Sequence, residues 1–435
     1  MEKLVLNSKE HLDASAGVYC AENGLKCRIS EDNEHVKISM YLHDFNEAVD
    51  VTVPNEVVID GMSYPVYEFK ITPGLIGRDA RLQTVSLPSN LKMADLGELK
   101  FNVLYINGCR GLVLEHSYGE KICYDTIETL LSIKKGLHAE LILVAGAELT
   151  DLAVPDGITE ICEYFVSGCS TLRSVVLPNS VVKINNYAFD ACSNLMNIEL
   201  SQNLEIIGRG AFSYCKKLSA FKLYEGLKLI GTYAFYACKD LDEIIIPSTV
   251  EGIGGGAFGY TGIKKIEIHD GVTQFYDGMF QGCYKLEEVR LPSGLQEIGR
   301  EMFHNCESLT EIVLPSQLVS IGSEAFAFSG LKKITIPATV TNIGGYAFEG
   351  CKNLADVYCE ITDPTQCEVK KPLEYPAKKA GRKWNSQDRE WNVGEELFYK
   401  NATLHLPNVK GIVAAYKKKA AWKKFADIVS DLETV

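Results

Sequence analysis

The chain has 435 residues, with 44 Lys and Arg against 57 Asp and Glu, and its formal charge of −13 disfavours a generic affinity for nucleic acid or an anionic membrane. Hydrophobic residues at 46% and charged residues at 23% exclude a wholly disordered or collagen-like chain. At roughly 150 residues per domain the length suggests about three domains, unless the chain is a stack of repeats that share one core. No run of about 18 apolar residues occurs, and Met1 to Lys9 leads into Glu10, His11 and Asp13 without an apolar stretch, so neither a membrane span nor a signal peptide is expected in this numbering.

Residues 1–64 carry alternating segments such as Val36, Ile38, Met40, Leu42, which predict a β-rich N-terminal cap. Residues 65–151 read as degenerate repeats. Leu82, Val85, Leu87 and Pro88 form one early unit; Val103 to Ile106, Leu112 to Leu114 and Leu141 to Val144 predict strands, and Ile127, Leu130 and Leu131 could line a short helix.

Residues 152–359 are regular. Cys169, Cys192, Cys215, Cys238, Thr261, Cys283, Cys306, Ser329 and Cys351 follow one another at steps of 22 or 23. Three residues before each slot stands Phe189, Phe212, Phe235, Phe258, Phe280, Phe303, Phe326 or Phe348, with Val166 in the first unit. A third column, Ile184, Ile207, Ile230, Ile253, Ile298, Ile321 and Ile343, is usually followed by Gly; Pro155, Pro178, Pro247, Pro292, Pro315 and Pro337 close an alternating segment such as Val175, Leu177 or Ile334, Ile336. Period-2 alternation with β-branched residues predicts one short strand per unit, ended by a proline that cannot donate to a ladder. The segment around Phe235 and Cys238 is too short for a crossover helix and predicts a helical turn or 3₁₀ piece. One unit cannot enclose a core, but stacked units bury Ile, Phe, Cys and Leu between one parallel sheet and the opposite turns. At about 4.8 Å per strand, nine such units span roughly 40 Å.

Residues 360–435 open on an irregular stretch rich in Pro, Lys and Glu, including Lys370, Lys371, Lys378, Lys379, Arg382 and Lys383, expected to be a surface loop, and end on a capping strand and helix. This segment holds 14 Lys and Arg against 11 Asp and Glu, a net of +3 that leaves −16 for the rest of the chain. Lys410, Lys417, Lys418, Lys419, Lys423 and Lys424 crowd the helix, whose apolar stripe contains Val409, Ile412, Val413, Tyr416, Phe425, Ile428 and Val429; a solvated face of a capping helix explains them better than a nucleic-acid site.

The regular units resemble the BspA-type leucine-rich repeats found in surface proteins of bacteria and some protozoa. Val51, Thr52, Val53, Pro54 with Gly61, Met62, Ser63, Tyr64, Pro65, Val66 are similar to the opening of that family's first repeat. Leu404, His405, Leu406, Pro407 with Ala415, Tyr416, Lys417 and Trp422 to Ile428 resemble its closing strand and helix. The resemblance implies a right-handed β/α repeat solenoid at a cell surface or outside the cell, engaged in adhesion or recognition, with a host or matrix protein as the ligand class.

Residues that could carry chemistry have simpler readings. Gly252, Ile253, Gly254, Gly255, Gly256, Ala257 imitate a dinucleotide fingerprint, yet Ile253–Gly254 and Ala257–Phe258 are the repeat's own pairs and no long helix follows. Eight histidines are scattered, most expected at the surface, and neither a metal site nor any cofactor is expected. The cysteine slot also admits Thr261 and Ser329, which points to small size, so buried thiols are expected in preference to disulfides.

The outward face of the sheet is more informative. One column runs Asn197, Ala220, Glu243, Lys265, Glu288, Glu311, Lys333, Asp356; the other runs Glu199, Lys222, Ile245, Glu267, Arg290, Val313, Thr335, Tyr358. Strand spacing should pair Glu199 with Lys222, Glu243 and Glu288 with Lys265, and Glu267 with Arg290. Ile245, Glu267, Arg290, Val313, Thr335 and Tyr358 are the candidate ligand-binding residues, because apolar side chains there interrupt a self-neutralised surface. A non-catalytic binding or adhesion protein is the expectation. The alternatives are a glycan-binding or polysaccharide-acting solenoid, which would need convergent carboxylates in a groove, and a purely structural spacer.

Overall fold

The computed structural model describes residues 4–6, 8–14, 17–21, 25–42, 49–73, 81–96, 100–106, 109, 112–115, 118–124, 138–144, 147–219, 221–272, 275–369, 402–419, 422 and 425–432. The expected helix at Ile127 to Leu131, the residues Lys370 to Lys383, Ala220, Lys423 and Lys424 lie outside them. The chain forms two compact units, Met1–Ile198 and Glu199–Val435. It is a β-solenoid whose strands pair mostly in parallel.

In the first unit, Leu25–Ile29 and Val36–Leu42 pair antiparallel, as do Glu56–Ile59 and Met62–Pro73. Asp60 and Gly61 join the latter pair with φ of 50° and 84°, the two positive values that a tight hairpin turn needs. From there the chain coils. Val36–Leu42, Met62–Pro73, Met93–Asp95 and Val113–Glu115 stack in parallel on one side, and Val49–Thr52, Arg81–Ser86, Lys100–Tyr105, Tyr118–Tyr124 and His138–Val144 do so on the other. The strands expected at Val103, Leu112 and Leu141 are among them. Phe69, Leu82, Phe101, Leu104 and Tyr124 fill the space between.

The regular coils add a feature that periodicity did not reveal. Besides the ladder on the outward face, the Ile–Gly segments form a second parallel ladder: Ile206–Ile207, Leu229–Ile230 and Gly252–Ile253 in one run, and Glu297–Ile298, Ser320–Ile321, Asn342–Ile343 and Glu368–Val369 in another. The last strand carries the solenoid to Val369, beyond the point where the sequence turns irregular, with Ile361 and Cys367 buried.

The turn around each Phe is not helical. It keeps i to i−3 bonds, as from Cys215 N–H to the Phe212 carbonyl, but two residues per coil, four apart, have left-handed φ: Tyr233 and Ala237, Gly256 and Tyr260, Gly278 and Gly282, Glu301 and Asn305, Glu324 and Phe328, Tyr346 and Gly350. Left-handed backbone costs a non-glycine residue about 1–2 kcal/mol. It also swings the amide along the stack. Tyr233 N–H donates to Gly255 O at 2.9 Å, Phe235 N–H to Ala257 O at 2.9 Å and Ala237 N–H to Gly259 O at 2.8 Å, and the same trio recurs from Glu301, Phe303 and Asn305. Three inter-coil hydrogen bonds per coil offset the conformational cost. A helical turn would have spent these amides internally.

The core is columnar. Phe212, Phe235, Phe258, Phe280, Phe303, Phe326 and Phe348 are fully buried, their rings nearly parallel with centroids 5.3–6.0 Å apart. That spacing lies inside the favourable range for offset stacking. All 14 cysteines are free thiols. Small size is only half of the slot's requirement, because each thiol also donates to the preceding coil: Cys238 to Phe212 O at 3.1 Å, Cys283 to Phe258 O at 3.0 Å and Cys351 to Phe326 O at 3.0 Å. Thr261 turns its hydroxyl instead onto the Phe258 carbonyl of its own coil, 2.8 Å away. A small hydrogen-bond donor is what Cys, Thr and Ser share. Burial pushes the Cys283 and Cys351 thiols up to about 11, which keeps them protonated and unreactive. A thiol-reactive mass tag should therefore label few cysteines in the folded protein and most of the 14 after denaturation without reduction; fewer than half labelled in the denatured state would contradict a thiol column.

At the end of the second unit, Lys333–Ile336, Asp356–Cys359, Thr403–Pro407 and Asp427–Leu432 form one parallel sheet. The helix Ile412–Lys418 buries Ile412 and Tyr416, and the Tyr416 hydroxyl donates to Ile361 O at 2.7 Å. Its lysines, Lys417 and Lys418, face solvent with Lys410 and Lys419. No helix among the described residues is long and apolar enough to cross a membrane.

Candidate functional site

The outward sheet face is built by strands whose central residue points inward, so Ile266, Val289, Ile334 and Val357 are buried while their neighbours face solvent. Parallel register sets Lys265 beside Glu288 and Glu267 beside Arg290. The Lys265 ammonium donates to Glu288 at 2.8 Å and the Arg290 guanidinium to Glu267 at 2.8 Å. Lys333 and Glu311 make a third pair at 2.8 Å, and this hydrogen bond holds the Glu311 carboxyl below its ordinary range.

Two expected pairs do not form. Lys222 lies over the Tyr224 ring, 4.8 Å from its centroid, instead of meeting Glu199. Glu243 is bridged to Lys265 through the backbone, but Lys265 gives its ammonium to Glu288. One lysine between two carboxylates holds one of them closely.

Of the candidate residues, Ile245 is 76% exposed and Val313 85% exposed, the largest values among the exposed large hydrophobic side chains of the described residues. Thr335 is exposed, and Glu267 and Arg290 are engaged with each other. Tyr358 differs, being half-buried, with its ring stacked on His405 at 4.6 Å. His405 is in turn clasped on both nitrogens, by Asp356 at 3.1 Å and Asp431 at 2.8 Å. Burial pulls the imidazole pKa down, but the hydrogen bonds to Asp431 and Asp356 outweigh it and the net shift is upward. The sheet face thus brings the candidate positions onto one surface in which Ile245 and Val313 are free and Tyr358 is tied to the closing strands.

Of the five histidines whose side chains are described, His11, His35, His269 and His405 are half-buried and His304 is buried. His304 is 8% exposed, lies tilted against the Phe328 ring with centroids 5.5 Å apart and has its Nδ1 3.6 Å from Glu324. Burial lowers the His304 pKa, with Glu301 opposing, and raises that of Glu324. Among the described residues no group of three or more His, Cys, Asp or Glu could hold a metal ion.

Sequence columns on the sheet face did not lead to the turn face, where Tyr236 meets Tyr214, Tyr233 and Tyr260 in edge-on ring contacts 5.3–5.6 Å apart. Beside Tyr233 lies a cavity of about 410 Å³. Its signal in the sequence was the surplus glycine of the Gly254–Gly256 run, which the repeat frame accounts for only in part.

The family model described as "BspA type Leucine rich repeat region" matches residues 144–261 and 228–355, with six copies. Among solved structures, a leucine rich cell surface protein from Faecalibacterium prausnitzii A2-165 is 22% identical, with 80% of this chain and 96% of that chain covered and a TM-score of 0.52. The pneumococcal vaccine antigen PcpA is 15% identical, covering 95% of this chain and 98% of that one, with a TM-score of 0.53. Both likenesses concern the fold. No curated protein matches the chain. Columns, coil geometry and family match agree: residues 144–355 of this chain are BspA-type leucine-rich repeats.

Proposed function

We propose that the chain is a non-catalytic binding protein of a cell surface, which uses the outward sheet face to hold a protein ligand, from a host or an extracellular matrix, in adhesion or recognition. The observation that carries this reading is the exposure of Ile245 and Val313 on a face where the pairs Lys265–Glu288, Arg290–Glu267 and Lys333–Glu311 neutralise much of the charge. Apolar anchors inside a rim of satisfied polar groups are the usual anatomy of a protein interface. Glu267, Arg290, Thr335 and Tyr358 complete the proposed contact surface. Alternating charge along the columns speaks against a carboxylate-lined groove for polysaccharide cleavage on this face. The cell-surface description of the Faecalibacterium protein supports the location.

The test is a binding screen on immobilised matrix and plasma proteins, followed by the Ile245→Ser/Val313→Ser double variant. Tyr358 is left intact because its ring supports His405. Affinity for the captured protein should fall at least tenfold, about 1–2 kcal/mol, with melting unchanged. Wild-type affinity in the double variant would remove the sheet face from consideration, and turnover of polysaccharides by the purified chain would remove the non-catalytic reading.

A further inference from the structure

The turn face of the second unit carries a column of left-handed positions that reads Gly210, Tyr233, Gly256, Gly278, Glu301, Glu324, Tyr346. Two successive glycines leave a gap between Tyr233 and Glu301. The reason for Gly256 is the tyrosine itself, since a Cβ there would fall 2.5 Å from Tyr233 Cδ1. Gly278 is different: a Cβ on it would come no closer than 3.7 Å to any atom, the side chain of Gln281. Gly255, the surplus glycine of the run, has a φ outside the left-handed range, and a Cβ on it would lie 3.0 Å from Asp277 O and 3.4 Å from Tyr276 Cβ. Of these glycines Gly255 lines the cavity, together with Thr232, Tyr233, Tyr276, Asp277 and Glu297.

We propose that this cavity seats a cationic side chain, arginine or lysine, of a partner protein. Tyr233 and Tyr276 are 41% and 49% exposed and present ring surface beside the opening. Asp277 and Glu297 supply two carboxylates, and no lysine or arginine is among the described residues that line the cavity. Asp277 is oriented by the Arg300 N–H, which donates to its Oδ1 at 2.8 Å. Arg300 turns its guanidinium onto Glu301 at 2.7 Å, and Arg209 stands 5.8 Å from the Tyr233 centroid, at the limit of cation–π reach. Glu297, which has no ion-pair partner among the described residues, and Asp277, which shares the field of Arg300 with Glu301, stand beside two tyrosine rings and match a cation, which gains both Coulomb attraction and ring contact. A sugar would stack on the same rings but leave the carboxylate charge unmet.

The site lies on the turn face and does not rest on the sheet-face reading: a null result for Ile245 and Val313 leaves it standing. Saturation-transfer NMR on the full chain should use N-acetyl-arginine methylamide, N-acetyl-lysine methylamide, their neutral counterpart N-acetyl-citrulline methylamide, and methyl glycosides. Transfer to the arginine and lysine probes should exceed that to citrulline about fivefold and weaken as sodium chloride is raised. It should disappear in Asp277→Asn/Glu297→Gln and fall in Tyr276→Ala. Glu297→Gln alone changes one exposed carboxylate and reads out charge without risk to the fold. Equal transfer to arginine and citrulline, undiminished binding in the double variant at wild-type melting temperature, or selective transfer to a glycoside would overturn the proposal.

Discussion

Replacing Phe280 by Ala should destabilise the protein by about 3–5 kcal/mol, the range for removing a buried aromatic ring. Phe280 is fully buried between the rings of Phe258 and Phe303, whose centroids lie 6.0 and 5.6 Å away. Neither neighbour can close the gap by itself, because each is held by the next ring in the column and by backbone bonds such as Phe280 N–H to Met302 O at 3.0 Å and Phe258 N–H to Met279 O at 3.1 Å. In a solenoid the loss stays between adjacent coils, since stability is nearly a sum of repeat and nearest-neighbour contributions. Hydrogen exchange should accordingly lose protection first at the amides of the coils on either side of Phe280, and the denaturant midpoint should fall. A loss under about 1 kcal/mol would mean that the column is not the main source of cohesion.

Much of this architecture could be read from columns. Phe, Cys and Ile recur at a fixed step, and a residue that recurs in a solenoid is stacked on its own copies, so the buried set at Phe212 to Phe348 followed from spacing alone. The second ladder did not follow, because strands of two residues such as Ser320–Ile321 are too short to show alternation. Nor did the left-handed residues. Tyr233, Glu301 and Phe328 adopt φ near 57° against their own preference because inter-coil hydrogen bonds demand it, which is a tertiary requirement invisible to local propensity. Period 2 put Ile245, Val313 and Thr335 on the solvent side of their segments, where they are exposed, yet the state of Tyr358 depends on His405, 47 residues away, which no local pattern joins to it. The turn-face cavity was concealed for the opposite reason: it is made by side chains that are absent, and a surplus glycine looks like a loosened repeat until its neighbours are seen.

The Gly that follows most column isoleucines carries a constraint of another kind, and Gly322→Ala is its test. The backbone there is not left-handed, so alanine meets no dihedral penalty. What it meets is the preceding coil: a Cβ would stand 2.6 Å from Arg300 N, 2.7 Å from Gly299 C and 2.8 Å from Gly299 O, all main-chain atoms. A flexible side chain could swing aside, but these atoms belong to a coil fixed by its own bonds, among them Gly322 N–H to Ile298 O at 2.8 Å and Glu301 N–H to Ser323 O at 3.0 Å. Relief requires parting the coils, so the substitution should cost about 1–3 kcal/mol, as overpacking does in a close-packed interior. Gly294→Ala is the matched control. Gly294 is exposed, its φ is outside the left-handed range and an added Cβ would meet nothing within 4 Å, so restricting the unfolded chain should raise stability by about 0.4–1 kcal/mol. Two Gly→Ala changes of opposite sign would assign the Ile–Gly pair to close approach between coils; equal effects at both sites would assign it to backbone entropy instead.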